Sequence, residues 1–476
     1  MSVAVAERAP GAAERPGPRA SLEALCDPGS FRALRTGVAS TRAGTRAKPG
    51  DGVLAGAGSV GGRPVFCYAE DPSFLGGSLG EAHAETIVRV MRLAARARAP
   101  VVGFVESGGA RLQEGHAALA GYGRIFRQSV ELSALVPQLS IVTGVSAGGG
   151  SYSPALTDFV VMTERARMFL TGPRVVREAL GEDVSMERLG GPAVHERNGV
   201  CQLVAADDAD AARLAAELLG HLPQAIGERP PAAEARGPLP PASGSLAGLV
   251  PADGRRVYDV RDVVATLVDA GGLLELAPRW APNMVTGLAR IEGRAVGVVA
   301  NQPRRLGGVI DAAAAEKAAL FVAACDRFRL PLVVLVDTPG FMPGTRQEEA
   351  GVIRHGASLL HAFAAADVPR LTVVLRKAYG GAVITMNSKD LGADVVLAWP
   401  GTEIGIMAAG QAVGIVERRR LAESEDERLV AELAAAYAAE HLTAEAAAAS
   451  GFVDEVIDPE ETREYLGWAL ANLERP

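Results

Sequence analysis

The sequence predicts an α/β protein made of two tandem domains that descend from one by duplication. Three observations carry this. Short apolar runs alternate with helical patterns, and both halves do so in the same order, which suits parallel sheets with helices outside. A glycine patch follows an apolar run four times, and forty residues separate Gly108 from Gly148 and likewise Gly340 from Gly380. At 476 residues the chain exceeds the roughly 250–300 at which a single core stops growing. A repeat this long is a duplicated domain, not a solenoid unit. Laid over one another, residues 85–165 and 316–400 place Glu85 on Glu316, Val101–Val105 on Val333–Asp337, Gly108-Gly109 on Gly340-Phe341 and Gly148-Gly149-Gly150 on Gly380-Gly381-Ala382.

Residues 1–20, rich in Ala, Pro, Gly and Arg, form a disordered arm without the apolar core of a signal peptide. A first domain spans 21–225. Leu22 to Leu34 is a short helical entry broken at Asp27-Pro28-Gly29, and Gly52 to Glu70 a hairpin turned at Gly61-Gly62. A glycine-rich loop, Phe74 to Gly80, opens onto a helix at 81–98 whose apolar face includes Val88 and Met91. Pro100 to Val105 is a buried strand, 117–135 a helix, and 139–145 a second strand before Ala147-Gly148-Gly149-Gly150. Short strands at Val160 and Met168 and a helix at 206–222 follow. Residues 226–250, with Pro230-Pro231 and Pro240-Pro241, form a linker. The second domain, 251–476, repeats the order: a hairpin turned at Glu292-Gly293, a helix at 316–328, a strand at 331–337, a helix at 350–366 and a strand at 370–375. Charged helix at 417–442 and a last segment at 460–473 close it.

Composition narrows the function. A net charge of −8 with no basic stripe disfavours nucleic acid. No apolar run reaches the ~18–20 residues of a membrane span. Cys26, Cys67, Cys201 and Cys325 form no C-x-x-C pair, which leaves buried thiols in a reducing cytoplasm and no metal site.

Glycines directly after a strand let the backbone turn sharply and leave N–H groups to point at an anion. Two such patches per half suggest a pair of backbone donors for an enolate oxygen, an oxyanion hole. Ordinary strand-to-helix turns are the better account of any single patch; the pairing, which occurs twice, favours the oxyanion hole. No Ser/His/Asp or Cys/His set accompanies the patches. Glu106 has the chemistry of a base or of a solvated loop carboxylate. His355 suits the bracing of a helix. Arg376 and Lys377 suit either the phosphates of a ligand or a surface ion pair.

Longer motifs carry a family resemblance. They are Asp51-Gly52-Val53, Phe74 to Glu81, Glu106-Ser107-Gly108-Gly109-Ala110-Arg111-Leu112-Gln113-Glu114-Gly115, Tyr152 to Phe159, Ala281 to Gly287, Asp337-Thr338-Pro339-Gly340-Phe341-Met342-Pro343-Gly344, Arg354-His355-Gly356 and Arg376 to Ala382. From about Pro28 to about Thr462 the chain resembles the carboxyltransferase (beta) subunit of biotin-dependent acyl-CoA carboxylases of the propionyl-CoA carboxylase type. The resemblance implies a crotonase-like fold of ββα turns in each half. It implies a homo-hexamer with active sites between the N-half of one chain and the C-half of another. It places the thioester carbonyl of an acyl-CoA at Gly108, Gly109, Gly148 and Gly149, and the ureido oxygen of carboxybiotin at Gly340, Phe341, Gly380, Gly381 and Ala382. Ala110, Arg111, Ala147, Tyr152, Tyr379 and Ile384 then line the substrates.

Lys389 lacks the Met-Lys-Met setting of a biotinylation site, so the resemblance implies biotin carried on a separate biotin carboxylase or carboxyl carrier (alpha) subunit. The family's Tyr-Asp pair after Gly-Gly-Ala is here Val383-Ile384, which favours a different or longer acyl chain if that position lines the acyl pocket. Two alternatives stand beside carboxyl transfer: a biotin-independent decarboxylase of a malonyl- or methylmalonyl-type thioester, and a non-catalytic ring subunit of a carboxylase complex.

Overall fold

A computed structural model describes residues 16–423 and 427–473. The chain divides into two compact units, residues 1–229 and 230–476.

In the first unit β1 (Arg32–Leu34), β2 (Val53–Val60), β3 (Arg63–Glu70), β4 (Val101–Ser107), β5 (Gln138–Ala147), β6 (Phe159–Thr163), β7 (Arg167–Phe169) and β8 (Leu203–Ala205) make one sheet. Its order is β1-β2-β3-β4-β5-β6-β8, with β7 paired to the end of β5. The hairpin β2–β3 is antiparallel, and every pairing from β3 to β8 is parallel. β4 is buried along its whole length, as expected of a central strand covered on both faces. The helices Glu81–Ala97 and His116–Ser133 pack Ile87, Met91, Ile125 and Leu132 against Val53, Tyr68 and Val101.

The second unit repeats the plan with β9 (Leu274–Glu275), β10 (Met284–Ile291), β11 (Arg294–Asn301), β12 (Leu332–Thr338), β13 (Arg370–Tyr379), β14 (Val395–Ala398), β15 (Glu403–Gly405) and β16 (Glu455–Val456). The order is β16-β14-β13-β12-β11-β10-β9, and β15 pairs with the end of β13. Both hairpins turn where the glycines place them, at Gly61-Gly62 and Glu292-Gly293. The ββα pattern in two parallel-rich sheets matches the expected crotonase-like class.

The two sheets correct the alignment of the halves. β3 meets β4 at Phe66–Val101, and β11 meets β12 at Gly297–Leu332. Leu79 bridges to Ala110 and Ile310 bridges to Phe341. Up to this point equivalent residues are therefore 231 apart, so Gly109 falls on Gly340, Ala110 on Phe341, and Gly108 on Pro339. β5 and β13 are 232 apart, since Val101 pairs with Gln138 and Leu332 with Arg370. One extra residue in the second half, between Phe341 and Arg370, makes the equal spacing of glycine patches misleading by a single position.

Two other expectations change. Pro18–Ala20, placed in the disordered arm, begin the helix Pro18–Leu25; residues 1–15 lie outside the described residues. The stretch expected as a linker is bonded to the second unit. Ala233 N–H donates to Gly293 O (3.0 Å) and Ala270 N–H to Gly237 O (2.9 Å). Arg290 and Arg463 donate to Pro231 O and Arg236 O, and Leu246 enters the second core. Among the described residues, no helix is long and apolar enough to cross a membrane. Helices at Pro173–Leu180, Met186–Gly190, Pro192–Asn198 and Val260–Leu267, each of eight residues or fewer, are too short to stand out in the sequence.

Candidate active site

β4 and β5 run parallel and end side by side. Their register slips at the ends: Val105 pairs with Val142, but Ser107 pairs with Ser146. β12 and β13 slip identically, from Val336–Val374 to Thr338–Ala378. The slip brings the first glycine patch of each half against the second. A Cβ on Gly109 would lie 3.4 Å from the Ala147 carbonyl oxygen.

The destination of each backbone N–H decides which groups can meet a ligand. Gly108 N–H donates to Gly76 O at 3.0 Å, and Gly148 N–H to Phe169 O at 3.2 Å. These two expected donors are consumed inside their own unit. Gly109, at φ 95°, turns the chain so that its carbonyl accepts from Leu79 N–H while Arg111 N–H donates to Leu79 O, both at 2.9 Å. Ala110 is pinned between them, and its N–H makes no hydrogen bond among the described residues. Gly148, at φ 58°, starts the helix Gly149–Ala155. Gly149 occupies its first turn, where N–H groups have no intrahelical partner. Ala110 and Gly149 thus present the available pair.

The second half does the same one step along. Ile310 N–H donates to Gly340 O and Met342 N–H to Ile310 O, leaving Phe341 N–H. Gly340 N–H reaches Thr338 Oγ1 at 3.3 Å. Gly380, at φ 61°, opens the helix Gly380–Thr385, and Gly381 lies in its first turn. Ala382 is fully buried behind it. A Cβ on Gly381 would meet no atom within 4 Å, whereas one on Gly149 would lie 2.7 Å from the Tyr122 ring. The first patch is packed from behind and the second is open.

Arg111, expected at the substrate, is 1% exposed. Its Nη1 donates to Asp51 Oδ1 (2.7 Å) and Glu114 Oε1 (2.8 Å), and its Nη2 to the Asp51 and Ser78 carbonyls. Its guanidinium faces the Phe74 ring at 5.3 Å. Arg111 is a brace that ties three loops together. Asp51 also takes His83 N–H, and Glu114 takes Ser40 Oγ–H and Glu81 N–H.

Arg376 is also no surface group. It is buried against Asp337, donating from Nε at 3.0 Å, with Nη1 spent on the Pro251, Asp253 and Arg256 carbonyls. Lys377 Nζ lies 3.8 Å from the same carboxylate. Burial pushes the Asp337 carboxyl up, against the pull of Arg376 and Lys377, and pushes Lys377 down. Glu106 is buried at the end of β4, with its carboxyl against Gly144; it is not a solvated loop group. Tyr379 is buried and donates its hydroxyl to Glu403, so it supports β13 from within.

Tyr152 and Ile384 are about half exposed. Tyr152 lines an open groove of about 590 Å³ with Phe126, Val130 and Leu156. Ala147 closes β5 at Gly148. Asp51 and Ser107 stood in the quoted motifs without a role, and Tyr122 and Lys317 had no signal in the sequence, because each acts through partners distant in the chain. Lys317 is buried and donates to the Ala277, Trp280 and Met284 carbonyls at 2.8–2.9 Å, fixing the loop before β10. Among the described residues no group of three His, Cys, Asp or Glu is placed to hold a metal.

Each unit thus repeats one α/β plan, a parallel-rich sheet with unspent backbone N–H groups where two strands end side by side. Residues 13–475 match the carboxyl transferase domain, and the chain belongs to that family. It is 46% identical over 474 residues to the propionyl-CoA carboxylase beta chain of Saccharopolyspora erythraea, covering 96% of this chain and 87% of that one. It is 44% identical to the methylmalonyl-CoA decarboxylase subunit alpha of Veillonella parvula, covering 89% and 82%. The crystal structure of the transcarboxylase 12S hexamer assembly with methylmalonyl-coenzyme A bound superposes with a TM-score of 0.93 at 44% identity, over 97% of this chain and 90% of that one.

Proposed function

We propose that the chain transfers a carboxyl group between carboxybiotin and the α-carbon of a short acyl-CoA. The observation that carries this reading is the repeated pair of unspent backbone N–H groups, Ala110 with Gly149 and Phe341 with Gly381. The first pair would hold the thioester oxygen as it gains enolate charge. The second would hold a ureido oxygen, and the open space at Gly381 suits a ring system larger than a thioester. Such preorganised donors act with no reorganisation at the moment of reaction. Bound carboxybiotin supplies the carboxyl group and, once it is released, a ureido nitrogen to take the α-proton. The remaining task of the chain is to place the two oxygens, which is catalysis by positioning.

In this reading biotin is carried by a separate alpha-type subunit, the chain assembles as a homo-hexamer, and it works in the cytoplasm. The relatives' substrates make propionyl-CoA and methylmalonyl-CoA the first to test, and Ile384 beside the second patch makes longer acyl groups the next. The Veillonella relative favours a second reading, decarboxylation of a methylmalonyl-type thioester. Incubation with methylmalonyl-CoA separates the two. Conversion of methylmalonyl-CoA to propionyl-CoA only when biotin is added supports carboxyl transfer; CO2 release without biotin overturns it.

A further inference from the structure

We propose that Tyr122 and Ser107 are positioning residues that lock the first donor pair in place. The proposal rests on the carboxyl-transfer reading of Ala110 and Gly149. Ser107 closes β4 and is fully buried. A serine hydroxyl has one hydrogen and two lone pairs. The hydrogen goes to Gly77 O at 2.8 Å. One lone pair then accepts the Tyr122 hydroxyl at 3.2 Å and the other faces Gly109 N–H at 3.4 Å. With its capacity filled, Ser107 draws the Gly109 amide inward, and the next amide, Ala110, is left for the substrate oxygen.

Tyr122 completes the link. Its ring lies directly behind Gly149, close enough that a Cβ there would meet it at 2.7 Å. One side chain therefore touches both halves of the hole, the ring under one donor and the hydroxyl on the group that sets the other. The second half keeps the strand-end hydroxyl, Thr338, which accepts Gly340 N–H, but has no ring behind Gly381. The first hole is held to one geometry, and the second lacks this backing.

The test compares Tyr122→Phe, Ser107→Ala and Ser107→Thr in the full chain, measuring kcat and KM for transfer between methylmalonyl-CoA and free biotin, with thermal midpoints alongside. Phe keeps the ring and removes only the hydroxyl; Thr is the residue the second half already uses. The expected result is a fall in kcat of about tenfold for Phe and for Ala, the size of one ordinary hydrogen bond, with KM unchanged, and recovery in Ser107→Thr. Wild-type kcat in Tyr122→Phe and Ser107→Ala, or a loss that only tracks the thermal midpoint, overturns the proposal. Ala110→Pro, which deletes the donor itself, separates the two levels. If it still binds CoA but is inactive while the other variants are unimpaired, the lock alone is wrong; if it is fully active, the donor reading is wrong as well.

Discussion

Gly144 and Arg376 occupy the same position in the two sheets, and each faces the acid at the end of the neighbouring strand. In the second half Arg376 pairs with buried Asp337 at 3.0 Å. In the first half the equivalent acid is Glu106, and its longer side chain lies over the bare Cα of Gly144. Duplication preserved the backbone slip and replaced the side chains that fill it.

Arg376→Met should therefore destabilise the second unit by about 3–5 kcal/mol, since it leaves Asp337 buried without its main partner. The double variant Arg376→Met with Asp337→Asn should recover much of that loss. Urea unfolding of both reads the difference, and equal midpoints for the single and double variants would refute it.

Arg111→Met removes the central cation between Asp51 and Glu114 and should cost a similar ~3–5 kcal/mol. Protein that remains folded should bind acyl-CoA with unchanged affinity, because Arg111 is 1% exposed and its guanidinium is spent on Asp51, Glu114 and Ser78. Calorimetric titration with CoA at low temperature checks this.

Lys317 gives a pH signature. Burial lowers its pKa to about 8 from 10.5. Below pH 8 it is charged in both folded and unfolded chains, and its burial cost is constant. Between about 8 and 10.5 the unfolded chain holds more protons, so stability rises with pH, by at most about 3 kcal/mol for such a shift. The three carbonyls it donates to favour the ammonium form and hold the rise below that bound. Lys317→Met should flatten the rise, measured as unfolding midpoints at pH 8 and pH 10.

Gly149→Ala and Gly381→Ala should differ. The first drives a methyl against Tyr122 and should lose both stability and rate, with up to ~2.7–4 kcal/mol of barrier at stake if one donor is displaced. The second meets empty space and should keep its thermal midpoint. A midpoint as low as that of Gly149→Ala would refute the openness of the second patch.

The architecture was legible because its signals are local. Gly61-Gly62 and Glu292-Gly293 announce their hairpins, and Val101 to Val105 can only be a buried strand. The glycine patches were legible as turns, yet not as individual donors. Whether an N–H is free depends on Gly76, Phe169 or Leu79, residues that come near only through the sheet. The same distance hid the role of Arg111, whose partner Asp51 lies sixty residues upstream. The halves slid by one residue because glycine identity was matched, where the structure matches Gly108 with Pro339.

The segment 230–250 has a practical consequence. Because Pro231, Ala233, Arg236 and Gly237 are fastened to the second unit and Leu246 is sunk in its core, a gene divided into halves should be cut at 229/230. A fragment starting at 251 would bare the hairpin turn and the core surface that this strap covers and should aggregate, while one starting at 230 carries its own cover.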